Sequence, residues 1–71
     1  MKKKIVIEGM SCGHCAGHVT GALKDVSGVE EVEIIVADGL AIVELAHEVD
    51  DENLIDAIEE VGYNAVEVEE I

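Results

Sequence analysis

The chain has 71 residues, and its 17 acids against four Lys give a formal charge of −13 at pH 7. Phosphate neutralisation needs clustered cations, so nucleic acid is excluded as a partner. The chain is too short for a second domain or a deep substrate cleft, and residues 1–71 read as one domain. With Tyr63 the only aromatic residue, its core must be Val, Ile, Leu and Ala.

Lys2-Lys3-Lys4 leads into an apolar run that stops at Glu8 after three residues. That is no signal-peptide core, and no stretch is long enough to insert in a bilayer, so a cytoplasmic protein is expected. Met1 at the start and the absence of a linker-like tail before Ile71 read as a free-standing protein.

Residues 3–8 alternate with β-branched side chains and read as a strand, Ile5 and Ile7 on one face, Val6 and Glu8 on the other. Gly9 ends it and a loop follows. Over residues 14–26, Cys15, Val19, Ala22, Leu23 and Val26 fall at helical spacing. Gly17 and Gly21 weaken that helix by about 1 kcal/mol each relative to Ala. Lys24 suits its C-terminal dipole, and Ser27-Gly28 stops it. Residues 29–36 alternate as a second strand, Asp38-Gly39 signals a hairpin, and residues 40–45 return as a third. Asp50 is placed to cap a second helix, with Val49 and Leu54 as a hydrophobic staple. Leu54, Ile55, Ile58 and Val61 form its apolar stripe, and Gly62 closes it. Residues 64–71 set Val66 and Val68 against Glu67 and Glu69, a fourth strand.

The order βαββαβ predicts an α+β, ferredoxin-like (split-βαβ) fold, in which a four-stranded antiparallel sheet carries two helices on one face. This topology gathers the end of the first strand, the start of the first helix, the Asp38-Gly39 hairpin and the Gly62-Tyr63 loop at one end. His47 and the lysines fall at the other. On the uncovered sheet face Val6, Ile35, Leu40 and Ile42 all point outward, which suggests a contact surface. The expected state is a monomer or a weak dimer through this face, shared with metal bridging at the thiol end.

Both cysteines lie in Gly9-Met10-Ser11-Cys12-Gly13-His14-Cys15. A loop thiol and a first-turn thiol both face the space off the helix N-terminus, where unpaired N–H groups favour thiolate. Two adjacent thiolates either bind a soft metal or cycle with a disulfide, and CxxC alone supports both.

That stretch resembles the GMxCxxC signature of heavy-metal-associated domains, the copper chaperones and the N-terminal modules of copper-transporting P-type ATPases. The similarity extends through the Gly28-Val29 turn, Val32-Glu33-Ile34 and Ile58-Glu59-Glu60-Val61-Gly62-Tyr63. The resemblance implies Cu(I) held by Cys12 and Cys15 and passed by ligand exchange to a P-type ATPase or a related metal-binding domain. No substrate bond would break, so the chain would not be an enzyme. Thiolate softness agrees with Cu(I), which tolerates two ligands where Zn(II) wants four. Tyr63 facing the motif resembles the bacterial copper chaperones, and no Lys stands near the thiols as it does in some members.

Other readings are a regulatory domain of an ATPase and a binding protein for mercury, zinc or cadmium. A thiol–disulfide oxidoreductase shares the Cys-Gly-His-Cys tetrad. Its thioredoxin-like setting needs a longer chain, an aromatic residue before the first Cys and a cis-proline, and this chain has no proline.

Met10 reads as a buried residue under the loop, not as a thioether ligand. His14 and His18, four apart, share a helix face beside Cys15 and read as solvated groups that tune the site. As ligands they would admit Zn(II). His47 is at the wrong end for metal. No acid occurs between Gly9 and Lys24, whereas the second helix carries Asp51, Glu52, Asp56, Glu59 and Glu60. A neutral patch beside an acidic rim suits a partner with a basic rim.

Overall fold

The structure, a computed structural model, describes residues 1–9 and 13–71; Met10, Ser11 and Cys12 lie outside the described residues. The elements are β1 (Lys2–Glu8), α1 (Gly13–Lys24), β2 (Val29–Ile35), β3 (Leu40–Leu45), α2 (Asp51–Glu60) and β4 (Asn64–Glu70), with a 3-10 turn at Val36–Asp38. The strands form one antiparallel sheet in the order β2-β3-β1-β4. The helices pack on each other, α1 against β2 and α2 against β4, so they share one face. This is the expected ferredoxin-like α+β arrangement.

Alternation in the strands builds the core. Ile5, Ile7, Ala41 and Val43 bury beneath Val19 and Leu23 of α1 and Leu54 and Ile58 of α2. Each large aliphatic side chain buried in this way contributes about 1.5–3 kcal/mol. Val49 and Leu54 are both buried, as a staple requires.

Several boundaries and facings differ from expectation. Helix α1 ends at Lys24, and Val26 packs against the core from the turn beyond it. Strand β2 stops at Ile35 because Val36 enters the 3-10 turn, so four residues, 36–39, and not the expected three, join Ile35 to its partner Leu40. In β4, Glu67 pairs with Val6 but Ala65 pairs with Ile7, which leaves Val66 as the extra residue of a bulge. Val66 is therefore 59% exposed instead of sharing a face with Val68, and Ala65 turns to the core. Ala57 takes the core position on α2 that Val61 was expected to fill, and Val61 lies in the capping turn, 37% exposed.

Asp50 is the N-cap residue of α2, yet its side chain makes no cap hydrogen bond. The neighbouring acid is used instead. Lys3 has the same parity as Ile5 and Ile7, so it points to the core side and is only 6% exposed. Its Nζ donates to the Val49 carbonyl at 2.7 Å and to Asp51 Oδ1 at 2.6 Å. A buried ammonium is tolerated only when paired and hydrogen-bonded, and here the pairing fastens β1 to the first turn of α2.

Candidate metal centre

Among the described residues, two chain reversals border the site end. Where β1 finishes, the Ile7 N–H donates to the Gly39 carbonyl at 2.7 Å, which holds the 36–39 connection against it. At the end of α2, the Gly62 N–H donates to the Glu59 carbonyl at 3.0 Å and the Tyr63 N–H to the Ile58 carbonyl at 3.3 Å. These two bonds make a Schellman motif, which requires a left-handed residue at the Gly62 position. Gly62 has φ +94°. The motif turns Tyr63 back onto the core, where it packs beside the exit of β1. A Cβ placed on Gly9 would lie 3.7 Å from Tyr63 Cδ1, so the tyrosine ring borders the residue from which the cysteine-bearing segment departs.

Helix α1 begins at Gly13, and Cys15 stands in its first turn, half-buried against the core. No acid occupies that turn, so the positive end of the helix dipole is not neutralised from its own side chains. His14 and His18 are exposed, as are Gly17 and Gly21 between and beyond them. The visible face of α1 is therefore small, neutral and imidazole-bearing in a chain of charge −13. Among the described residues, no three His, Cys, Asp or Glu side chains converge to hold an ion.

Of the residues singled out from sequence, Cys15, Tyr63, His14 and His18 are thus brought to one end. Cys12 and Met10 lie outside the described residues, so the placement of the second thiol and of the methionine belongs to the sequence argument. His47 sits at the far end against Gly28, with its Nδ1 3.0 Å from the Glu48 carbonyl oxygen. The apolar surface added by Val61, beside Tyr63, was missed because its spacing fits the buried stripe of α2. Gly62 directly after it is the signal that α2 has ended there.

Residues 4–64 match the family described as heavy-metal-associated domain. The chain is 39% identical over 70 residues to a mercuric reductase of Lysinibacillus sphaericus, which covers 99% of this chain but only 13% of that protein. It is also 39% identical over 61 residues to the copper chaperone CopZ of Staphylococcus aureus, covering 84% of this chain and 90% of the chaperone. Among solved structures, a CopZ metallochaperone superposes with a TM-score of 0.87 at 34% identity, covering 93% of this chain and all of the other. Among the described residues no helix is long and apolar enough to cross a membrane. The shared βαββαβ fold, a cysteine in the first turn of α1 and a family match across most of the chain converge on one conclusion: the chain belongs to the heavy-metal-associated domain family.

Proposed function

We propose that this domain carries Cu(I) between Cys12 and Cys15 and hands it to a partner protein by ligand exchange. The observation that carries the reading is Cys15 in the first turn of α1, at an end of the molecule that its own helix leaves free of acid. Two soft thiolates satisfy a d¹⁰ Cu(I), whereas Zn(II) finds too few ligands. A partner thiolate bonds to Cu(I) as the Cu–S bond to one of this chain's cysteines breaks. The metal stays Cu(I), the partner's thiol loses its proton, and the released thiolate gains one. No substrate is cleaved or oxidised, so the domain acts as a carrier and not as an enzyme. Reduced thiols imply a reducing compartment such as the cytoplasm, and the recipient is a copper-transporting P-type ATPase or a related thiol-bearing domain.

The test is titration of the reduced protein with Cu(I) and with Zn(II), each against a competing chelator. Equimolar retention of Cu(I), with Zn(II) lost to its chelator, is expected. Preferential retention of Zn(II), or loss of both ions, would overturn the proposal. Similarity over almost the whole chain to a segment of a mercuric reductase favours one second reading, Hg(II) as the cargo. It too needs only two thiolates, and comparison of the rates at which Cu(I) and Hg(II) pass to a dithiol acceptor separates the two.

A further inference from the structure

Both helices lie on one side of the sheet, so among the described residues its other face has no covering layer. Cross-strand register sorts that face into rows. Toward the thiol end, Ile35, Leu40 and Val6 stand side by side, all half-buried, with Glu67 at the edge, and beyond Val6 the exposed Glu8 faces the same way beside Asn64. The next row is Glu33, Ile42, Lys4 and Glu69, in which Lys4 Nζ lies 3.5 Å from Glu69. The last brings Glu31 and Glu44 beside Lys2, around a shallow hollow shared with Ile42. The apolar side chains of this face thus gather toward the thiol end while its carboxylates run along its whole length, and its six carboxylates outnumber its two ammonium groups.

We infer that this face docks a partner-protein segment in which an apolar stretch leads into a run of Lys or Arg, the apolar part lying toward the thiol end. The apolar row offers the contact that loses water on binding and so sets the direction, and the unmatched carboxylates fix the sign of the partner's charge. A second copy of this chain is the poorer occupant. It would bring the same six carboxylates face to face, and each copy carries −13. Docking here leaves the end bearing Tyr63 and Cys15 uncovered, so a segment of a recipient could hold the domain while its thiols exchange metal. The surface stands on register and charge alone and does not depend on which ion is carried.

The probe is a short synthetic peptide, Leu and Ala in one half and Lys and Arg in the other, added to the isotope-labelled apo protein. Amide shifts are expected to concentrate on Val6, Ile35, Leu40 and Ile42. Glu31→Lys with Glu33→Lys should weaken binding about tenfold or more, and Leu40→Thr, which keeps a strand-forming residue, should weaken it too. Asp56→Lys with Glu59→Lys changes total charge equally on α2 and should alter binding less than about twofold. The inference is overturned by shifts centred on α2, by equal weakening from both charge pairs, by no binding, or by sedimentation showing that the face self-associates. Metal titration of the same variants reads the proposed carrier function separately.

Discussion

Gly28→Ala should destabilise the fold severely while leaving the metal end untouched. Gly28 has φ +100°, a conformation side-chain-bearing residues rarely adopt. An added Cβ would lie 2.7 Å from both His47 Cε1 and Val49 Cγ2. The backbone cannot turn away freely, because the Gly28 carbonyl accepts the Ala46 N–H at 2.8 Å. The two neighbours differ in what they can yield. His47 is exposed and can swing into solvent, whereas Val49 is 4% exposed and packed in the core.

Backbone strain costs about 1–3 kcal/mol and overpacking against Val49 about 1–3 kcal/mol more. A chain of this length has on the order of 4–11 kcal/mol in total at the usual stability per residue. Each kcal/mol is worth about 4–8 °C of Tm in a small domain, so thermal unfolding followed by circular dichroism should fall by roughly 10 °C or more. A double-mutant cycle locates the cause. In the Gly28→Ala background, Val49→Ala should recover about 1 kcal/mol relative to additivity, and His47→Ala less than about 0.5 kcal/mol. A Tm loss under about 4 °C, or a larger rescue by His47→Ala, would refute the packing argument.

Cys12→Ser or Cys15→Ser should abolish tight equimolar Cu(I) binding in chelator competition. Because Cys15 lies at the margin of the core, its serine variant should still fold, with Tm lowered by no more than about 8 °C. Replacing exposed His14 and His18 together by Ala should leave Cu(I) affinity within about tenfold, about 1.4 kcal/mol, and weaken Zn(II) more. Collapse of Cu(I) affinity alone would make the imidazoles primary copper ligands. Lys3→Met keeps the aliphatic volume and should stay within about 1 kcal/mol of the parent in urea denaturation. Asp51→Ala strands a buried ammonium and should cost more, about 1–2 kcal/mol after allowance for Asp51 being half-exposed. The reverse order would show that the Val49 carbonyl, not the carboxylate, holds Lys3.

Elements with strong periodicity were legible in the sequence, and those altered by a single inserted or displaced residue were not. Ile5 and Ile7 gave the facing of β1, and the same parity implies a core-side Lys3, but a lysine at the chain start reads as solvent-exposed. Only the acceptors on Val49 and Asp51, more than forty residues away, make its burial tolerable. The bulge in β4 has no local signature, because Ala65, Val66 and Val68 are all apolar and alternation cannot say which is the extra one. Asp50 carries the right chemistry for a cap, yet the acid that gains a partner is the one Lys3 can reach. At the site, Cys15 was legible from its spacing after a strand and a glycine. Tyr63 was legible because Gly62 stops α2 one residue before it.

The two ends of the fold are built for different demands. Away from the site, β1 is tied on both sides, by the Leu45 N–H to the Met1 carbonyl at 2.6 Å and the Ile71 N–H to the Lys2 carbonyl at 3.0 Å. The Lys3–Asp51 and Lys4–Glu69 pairs also spring from the first half of β1. At the other end, the described connections are short backbone reversals at 36–39 and 62–63, which position Tyr63 beside Gly9. A carrier must open its coordination sphere to exchange ligands, and segments that move are drawn from the less stable part of a structure. With these ties far from Cys15, the proposed ligand exchange need not compete with the core. Affinity and stability should then vary independently: Gly28→Ala should lower Tm yet leave Cu(I) affinity at 25 °C within about twofold, under 0.5 kcal/mol. A parallel loss of both would mean that the far end also sets the geometry of the metal centre.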